Sequence, residues 1–537
     1  MPVTKFAIPE KYNYLEGFGA YHQSEALPEA NPVAANSPQV PPYGLYTERI
    51  SGTSFTAPRA ENLQTFMYRT SPTFEHGPFK LYVDYRLWPK PEAEQKLTVT
   101  PNSIKWHAFP VGAKGDWVTS QRMIAKAGDP TTKTGLAYHI YAAVEDMAPN
   151  SAFFSADGDY LIIPQAGTLD IKTELGSLLI RQNEIAVIPR GIRYRVTLPH
   201  GPARGYICEL FQSHFTLPEL GPIGSCSLAN ARDFQVPVAC FDGRVDDESG
   251  HAKAGHGEEW SVISKMNSTL FVCTQDETPF NVAAWHGTYY PYKYDLGRFS
   301  VIGSTLYDHP DPSIFTVLTA PSHRQPGHAV VDFVIFPPRY NVMEDTFWPP
   351  YYHRNTMAEF VGSIINDQSP NSRWSRDASF KPFVTKLNNS MVPHGMDEAT
   401  VKAARESVLE PTKVDDEGSI NFLLESEMMM GVIDPAPGQV QENAAEIQQL
   451  QGDSLGKFQI LEARHRSQLQ TYKDKAKALA TLQEYIVKTI GRYYDIIAKE
   501  DNTAKELTIL KNRVKPTDWA RESEVTDRYY ATVKILA

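Results

Sequence analysis

Between about residues 65 and 295 the chain never runs far without a turn. Short apolar or alternating runs, "FKLYVDYRLW", "KLTVT", "YLIIPQAGTLDIKTEL", "SLLI", "EIAVIPRGIRYRVTL" and "GYICELF", follow one another with turns between them. In "PQAGTLDIKT" a turn leads into alternation, with Leu169, Ile171 and Thr173 on one side. Strands this short and this frequent predict a β-sandwich or barrel. The 40 prolines and 33 glycines fit many turns rather than long helices. A second β region is expected over 296–435, with "SIFTVLTAP" and "AVVDFVIFPPRY" as its clearest strands. At 537 residues the chain is long enough for two or more domains.

The composition changes near residue 436. "DPAPGQVQENAAEIQQLQGDSLGKF" reads as a linker, and beyond it Leu469, Tyr472, Ala476, Leu479, Leu482, Ile486, Ile490, Tyr493 and Ile497 recur at three- and four-residue steps. That period predicts an amphipathic helix. The segment is also net basic, whereas the rest of the chain is acidic. The expected organisation is therefore an N-terminal β domain at 1–295, a second β domain at 296–435, a linker at 436–455 and a helical extension at 456–537.

A formal charge of −11 gives no reason to expect nucleic acid or an anionic membrane as partner. No stretch approaches the roughly 18 consecutive apolar residues of a membrane span, and the N-terminus has no signal-like apolar core. The cysteines at 208, 226, 240 and 273 show neither C-x-x-C pairing nor zinc spacing. They read as reduced packing residues of a cytoplasmic protein. "VDDESGHAKAGHGEEW" reads as a polar surface loop in which His251 and His256 are poor metal candidates.

"FWPPYYHRNTMAEF", residues 347–360, carries more chemistry. Pro349 and Pro350 exclude a helix there and favour an extended entry. On a strand His353 and Glu359 share a face; on a helix they stand roughly 120° apart. Taken alone, such a pair is more often exposed than metal-bound. Two further histidines lie nearby in sequence: His309 in "YDHPDPSIFTVL" and His394 in "SMVPHGMD". Two histidines and one carboxylate facing inward from separate strands form the ligand set of non-haem Fe(II) oxygenases. Without thiolates, such a set does not suit structural zinc.

"DHPDPSIFTVLTAPS", "AVVDFVIFPPRYNV", "FWPPYYHRNTMAEFVG" and "MVPHGMD" resemble the homogentisate 1,2-dioxygenase family in order and spacing. So do "YNYLEGFGAYHQSEALPEA", "NSPQVPPYGLYTE", "ELGPIGSCSLANARDFQVPVA" and "FNVAAWHGTYYPYKYDL", and the likeness runs from about residue 10 to 430. The resemblance implies a mainly β, cupin-like (germin-like) fold with Fe(II) in its C-terminal domain. It implies His353, Glu359 and His394 as iron ligands, with His394 also near the substrate, and His309 as the acid–base residue. The implied reaction cleaves the ring of homogentisate with O2 to give 4-maleylacetoacetate, a step of phenylalanine and tyrosine catabolism. A small aromatic substrate and a homo-oligomer, a trimer or hexamer, follow from the same resemblance.

One segment departs from the family pattern. Where the family carries a substrate-contacting Tyr and His, this chain has Gln368 and Asn388, within "NDQSPNSRWSRDASFKPFVTKLNNS". Trp374, Lys381 and Lys386 in that run read first as a solvated loop and second as new substrate contacts. The alternative functions are a paralogue cleaving a related dihydroxyphenyl acid, or an inactive member whose helical tail serves protein interaction. The tail, around "LKNRVKPTDWARE", resembles a capsid-precursor segment of fungal copia-like retroelements.

Overall fold

The structure, a computed structural model, describes residues 4–33, 40–84, 97–106, 109, 114–219, 228–255, 259–301, 310–341, 351–365, 384–396, 398–414 and 420–433. His309, Gln368, His256, Cys226, Trp374, Lys381, the linker and the helical tail lie outside them. The chain divides into two compact units, 1–442 and 443–537, and all the described residues belong to the first. That unit is mainly β. Among the described residues one α-helix occurs, Glu398–Glu406, and no helix is long and apolar enough to cross a membrane.

Three sheets lie in layers, and the middle one is buried on both sides. It has ten strands, with Asp159–Ala166, Ala203–Leu210, Thr134–Ala143 and Arg122–Asp129 adjacent in that order. On one side Tyr160 meets Phe153 of a seven-stranded sheet, ring centroids 6.0 Å apart. On the other side Tyr138 stacks on Phe360 at 4.6 Å and Tyr206 meets Phe422 edge-on at 4.8 Å. Strands buried on both faces have no need to alternate with polar residues. This is why "YLIIP" and "YICEL" read as continuous apolar runs. "TLDIKT", in the outer seven-stranded sheet, alternates as expected, with Leu169, Ile171 and Thr173 buried and Asp170 and Lys172 less so.

The second β region forms the third layer, a six-stranded antiparallel sheet. Its order is Thr316–Pro321, Ala329–Phe336, Ile420–Ser426, Ala358–Ile365, Thr385–Asn388, Ile104–Trp106. Phe333, Phe422, Leu424, Phe360, Leu387 and Trp106 are buried on the face toward the ten-stranded sheet. Close approach there requires glycine at 362, where a Cβ would stand 2.5 Å from the Phe422 ring. The opposite face carries the polar residues of interest.

The sheets exchange strands along the sequence. Ile104–Trp106 completes the six-stranded sheet by pairing with Thr385–Asn388. In return Gly431–Ile433 enters the ten-stranded sheet between Arg122–Asp129 and Leu97–Thr98. The segment read as a polar loop at 245–260 contains a short hairpin, Gly243–Val245 with Ala252–Ala254. There the His251 ring lies against Gly44.

Candidate metal centre

His353 and Glu359 do not share one strand, so period-two alternation is not what brings them together. The chain bends at Thr356 and Met357, and the strand begins only at Ala358. His353 instead forms an isolated bridge with His394: each backbone N–H donates to the other's carbonyl at 3.0 Å. This reciprocal pair of hydrogen bonds sets two imidazoles side by side, ring centroids 4.2 Å apart. The turn before His394 is held from two sides. Met391 takes a left-handed φ of 62°, and its N–H donates to the Asn355 carbonyl at 2.7 Å. Asn389 bonds Met430 in both directions: Nδ2 donates to its carbonyl at 3.0 Å, and Oδ1 accepts from its N–H at 2.8 Å.

Glu359, second in its strand, reaches both rings. His394 Nε2 lies 2.7 Å from Oε2 and His353 Nε2 lies 3.3 Å from Oε1. One ligand atom from each of the three residues falls within 4.8 Å of the others. The remaining ring nitrogens face carbonyls, His394 Nδ1 toward Val392 O at 2.8 Å and His353 Nδ1 toward Tyr351 O at 3.3 Å. A protonated Nδ1 donating to a carbonyl leaves the Nε2 lone pair for a cation, the usual arrangement of a ligating histidine. Asn355, absent from the candidates read in the sequence, donates Nδ2 to Glu359 Oε1 at 2.6 Å. Two neutral imidazoles and one oriented carboxylate, without a thiolate, fit a divalent transition metal with open coordination positions. The donors fit such an ion.

Glu359 also belongs to a polar row across the sheet. Register pairs Thr319 with Asp332, Asp332 with Glu425, Glu425 with Glu359, and Glu359 with Asn388. Directly paired residues in antiparallel strands share a face, so all five point the same way. Asn388 is 2% exposed, and its Oδ1 accepts from Ser103 Oγ at 2.6 Å. Burial alone would push the Glu359 carboxyl up, but the hydrogen bonds and charges of His353 and His394 outweigh it and hold it near 2. Burial, then the charges of Glu359 and Asp332, push Glu425 up to about 7. Glu425 had one signal in the sequence, an acid inside the apolar run "NFLLES". Asn355 and Ser103 had none.

Lys386 is not on a solvated loop. It lies on the Thr385–Asn388 strand, partly buried, on the face that bears Asn388 and Glu359.

Comparison with known proteins matches the family described as homogentisate 1,2-dioxygenase, its N-terminal part over residues 13–296 and its C-terminal part over 297–463. The chain is similar to homogentisate 1,2-dioxygenase of Emericella nidulans, 53% identical over 432 residues, covering 80% of this chain and 92% of that one. It is also similar to the Drosophila melanogaster protein of that name, 45% identical over 428 residues, covering 79% and 92%. Among solved structures, a cupin 2 conserved barrel domain protein from Leptotrichia buccalis aligns over 57% of this chain and 88% of that one, at 8% identity and a TM-score of 0.24.

Proposed function

The chain belongs to the homogentisate 1,2-dioxygenase family, and from that premise we propose that His353, Glu359 and His394 hold the Fe(II) of a ring-cleaving dioxygenase. The substrates are homogentisate and O2, and the product is 4-maleylacetoacetate, within aromatic amino acid catabolism. The observation that carries the reading is the meeting of three ligand atoms within 4.8 Å, on a bridge that leaves both Nε2 atoms facing one carboxylate. Ferrous iron there supplies a Lewis acid for a coordinated phenol and a redox centre for O2.

The protein's own residues do the rest. The carbonyls of Tyr351 and Val392 orient the two rings, and Asn355 orients the carboxylate. His309 takes the proton of the substrate hydroxyl; an imidazole is a competent base near neutrality. Asn388 presents its amide from the strand beside Glu359, its oxygen satisfied by Ser103 and its Nδ2 left to donate among the described residues. Gln368 supplies the second neutral contact. Residues 296–435, completed by the Ile104–Trp106 strand, form the cupin-like iron-binding part. The family likeness also supports a cytoplasmic homo-oligomer, a trimer or hexamer, which sedimentation would test.

Oxygen uptake by the iron-loaded protein with homogentisate tests the activity, and iron analysis of His353→Ala, Glu359→Ala and His394→Ala tests the ligands. Each variant is expected to lose stoichiometric iron. Full iron in two of the three would overturn the assignment.

A further inference from the structure

The strand that carries Asn388 holds a second group that neither metal binding nor proton transfer uses. Register pairs Glu359 with Asn388 and Val361 with Lys386, so Lys386 is the diagonal neighbour of Glu359 on the same face. Such neighbours stand about 7–8 Å apart at the backbone, within reach of a long side chain. On its other side Lys386 pairs directly with Lys105. Like charges opposite one another on a sheet repel, and a buried ammonium needs compensation. Lys386 is partly buried, yet among the described residues it makes no hydrogen bond or ion pair. Burial and then Lys105 lower its proton affinity, and Glu359 restores only part of it. Glu359 is within electrostatic range, but its oxygens are engaged by His353, Asn355 and His394. A half-buried cation, facing a second cation and without an acid of its own among the described residues, is suited to an anion that arrives from outside.

We propose that Lys386, in the field of Lys105, receives the carboxylate of the arylacetate substrate and thereby sets which end of the molecule faces the metal ligands. The proposal rests on the reading of homogentisate as substrate. An arylacetate spans the distance from a ring hydroxyl at the ligands to a carboxylate one diagonal step along the sheet. Selectivity then follows from charge: an acid satisfies the ammonium, whereas an ester or alcohol of the same shape leaves it unpaired. Among the described residues no hydrogen bond or ion pair joins Lys386 to His353, Glu359 or His394, so its loss is expected to leave the metal in place.

The test uses the full chain loaded with Fe(II), its Lys386→Met and Lys386→Arg variants, and two probes, homogentisate and its methyl ester. Anaerobic calorimetry gives the affinities and oxygen uptake gives KM and kcat. Lys386→Met is expected to weaken homogentisate about 10-fold or more, as for a lost charge-assisted bond. It should leave the ester's affinity and the iron content unchanged, while Lys386→Arg retains most of the preference for the acid. Equal weakening of acid and ester, or of neither, would overturn the proposal. Lys386→Gln serves the same comparison should the Met variant fail to fold. If the unaltered protein does not oxidise homogentisate, the substrate reading fails by itself. Phenylacetate and benzyl alcohol as ligands then test the cation alone: the proposal requires that the acid bind better and that Lys386→Met remove the difference.

Discussion

Asn355→Ala isolates the hydrogen bond that aims Glu359. In the structure Asn355 Nδ2 lies 2.6 Å from Oε1, the oxygen that also faces His353 Nε2 at 3.3 Å. Removing the amide leaves the carboxylate free to turn about its last torsion, and only the pull of the imidazoles opposes this. Loss of an outer partner of a metal ligand typically costs about 10–100-fold in metal affinity, or roughly 1.4–2.7 kcal/mol. The fold should hardly notice, because Asn355 is partly exposed and its Oδ1 has no partner among the described residues. Anaerobic competition with a chelator of known iron affinity reads the change, with the neighbouring exposed Thr356→Ala as control. Parental iron affinity in Asn355→Ala would show that the backbone of the Ala358–Ile365 strand alone aims the carboxylate, and would refute the reasoning.

His309→Ala should keep its iron and lose about 10²–10⁴-fold in turnover, the usual contribution of a general base; parental turnover would make His309 structural. Gly362→Ala should destabilise the protein by about 1–3 kcal/mol in denaturant melts, since the new Cβ meets the Phe422 ring at 2.5 Å. His214 lies between Asp159 Oδ2 at 2.6 Å and the Gly52 carbonyl at 2.8 Å. Burial works to lower its pKa, but Asp159 outweighs this and raises it. Its stabilising contribution is therefore complete below the unfolded value near 6.5 and is lost as pH rises through the raised folded value. His214→Gln should flatten that alkaline decline in melting temperature, and an unchanged profile would exclude the pair as its cause. A chain ending at Glu442 keeps the first compact unit whole. It should remain soluble with full iron content, which gel filtration and iron analysis would check.

What could be read from the sequence was whatever a local pattern records. Short strands and turns recorded a mainly β chain, and long ordered motifs recorded the family. His353, Glu359 and His394 stood out by residue type, but the geometry that joins them did not. Their meeting depends on a bridge between segments some 40 residues apart, and bridges leave no period in the sequence. The expected shared strand face for His353 and Glu359 was wrong for that reason, as a bend intervenes at Thr356 and Met357. Lys386 looked like loop because the prolines and serines before it mask a strand of only four residues, Thr385–Asn388. Ser103 and Asn388 lie 285 positions apart, a separation that only the folded register closes.

The strand exchange bears on how the protein is made. A ribosome delivers Arg122–Asp129 long before Gly431–Ile433, so one side of the ten-stranded sheet waits as an open edge while some 300 residues are still to be added. Ile104–Trp106 waits almost as long for Thr385–Asn388. Open edges of this kind invite pairing with other chains. The nascent protein must therefore be shielded until nearly all of its first unit has emerged, and neither half expressed alone, cut near residue 296, should yield a soluble product. The site inherits the same timing: the sheet that bears Glu359 closes only once the last of its strands, Ile420–Ser426, arrives, so iron capture awaits a chain whose first unit is almost complete.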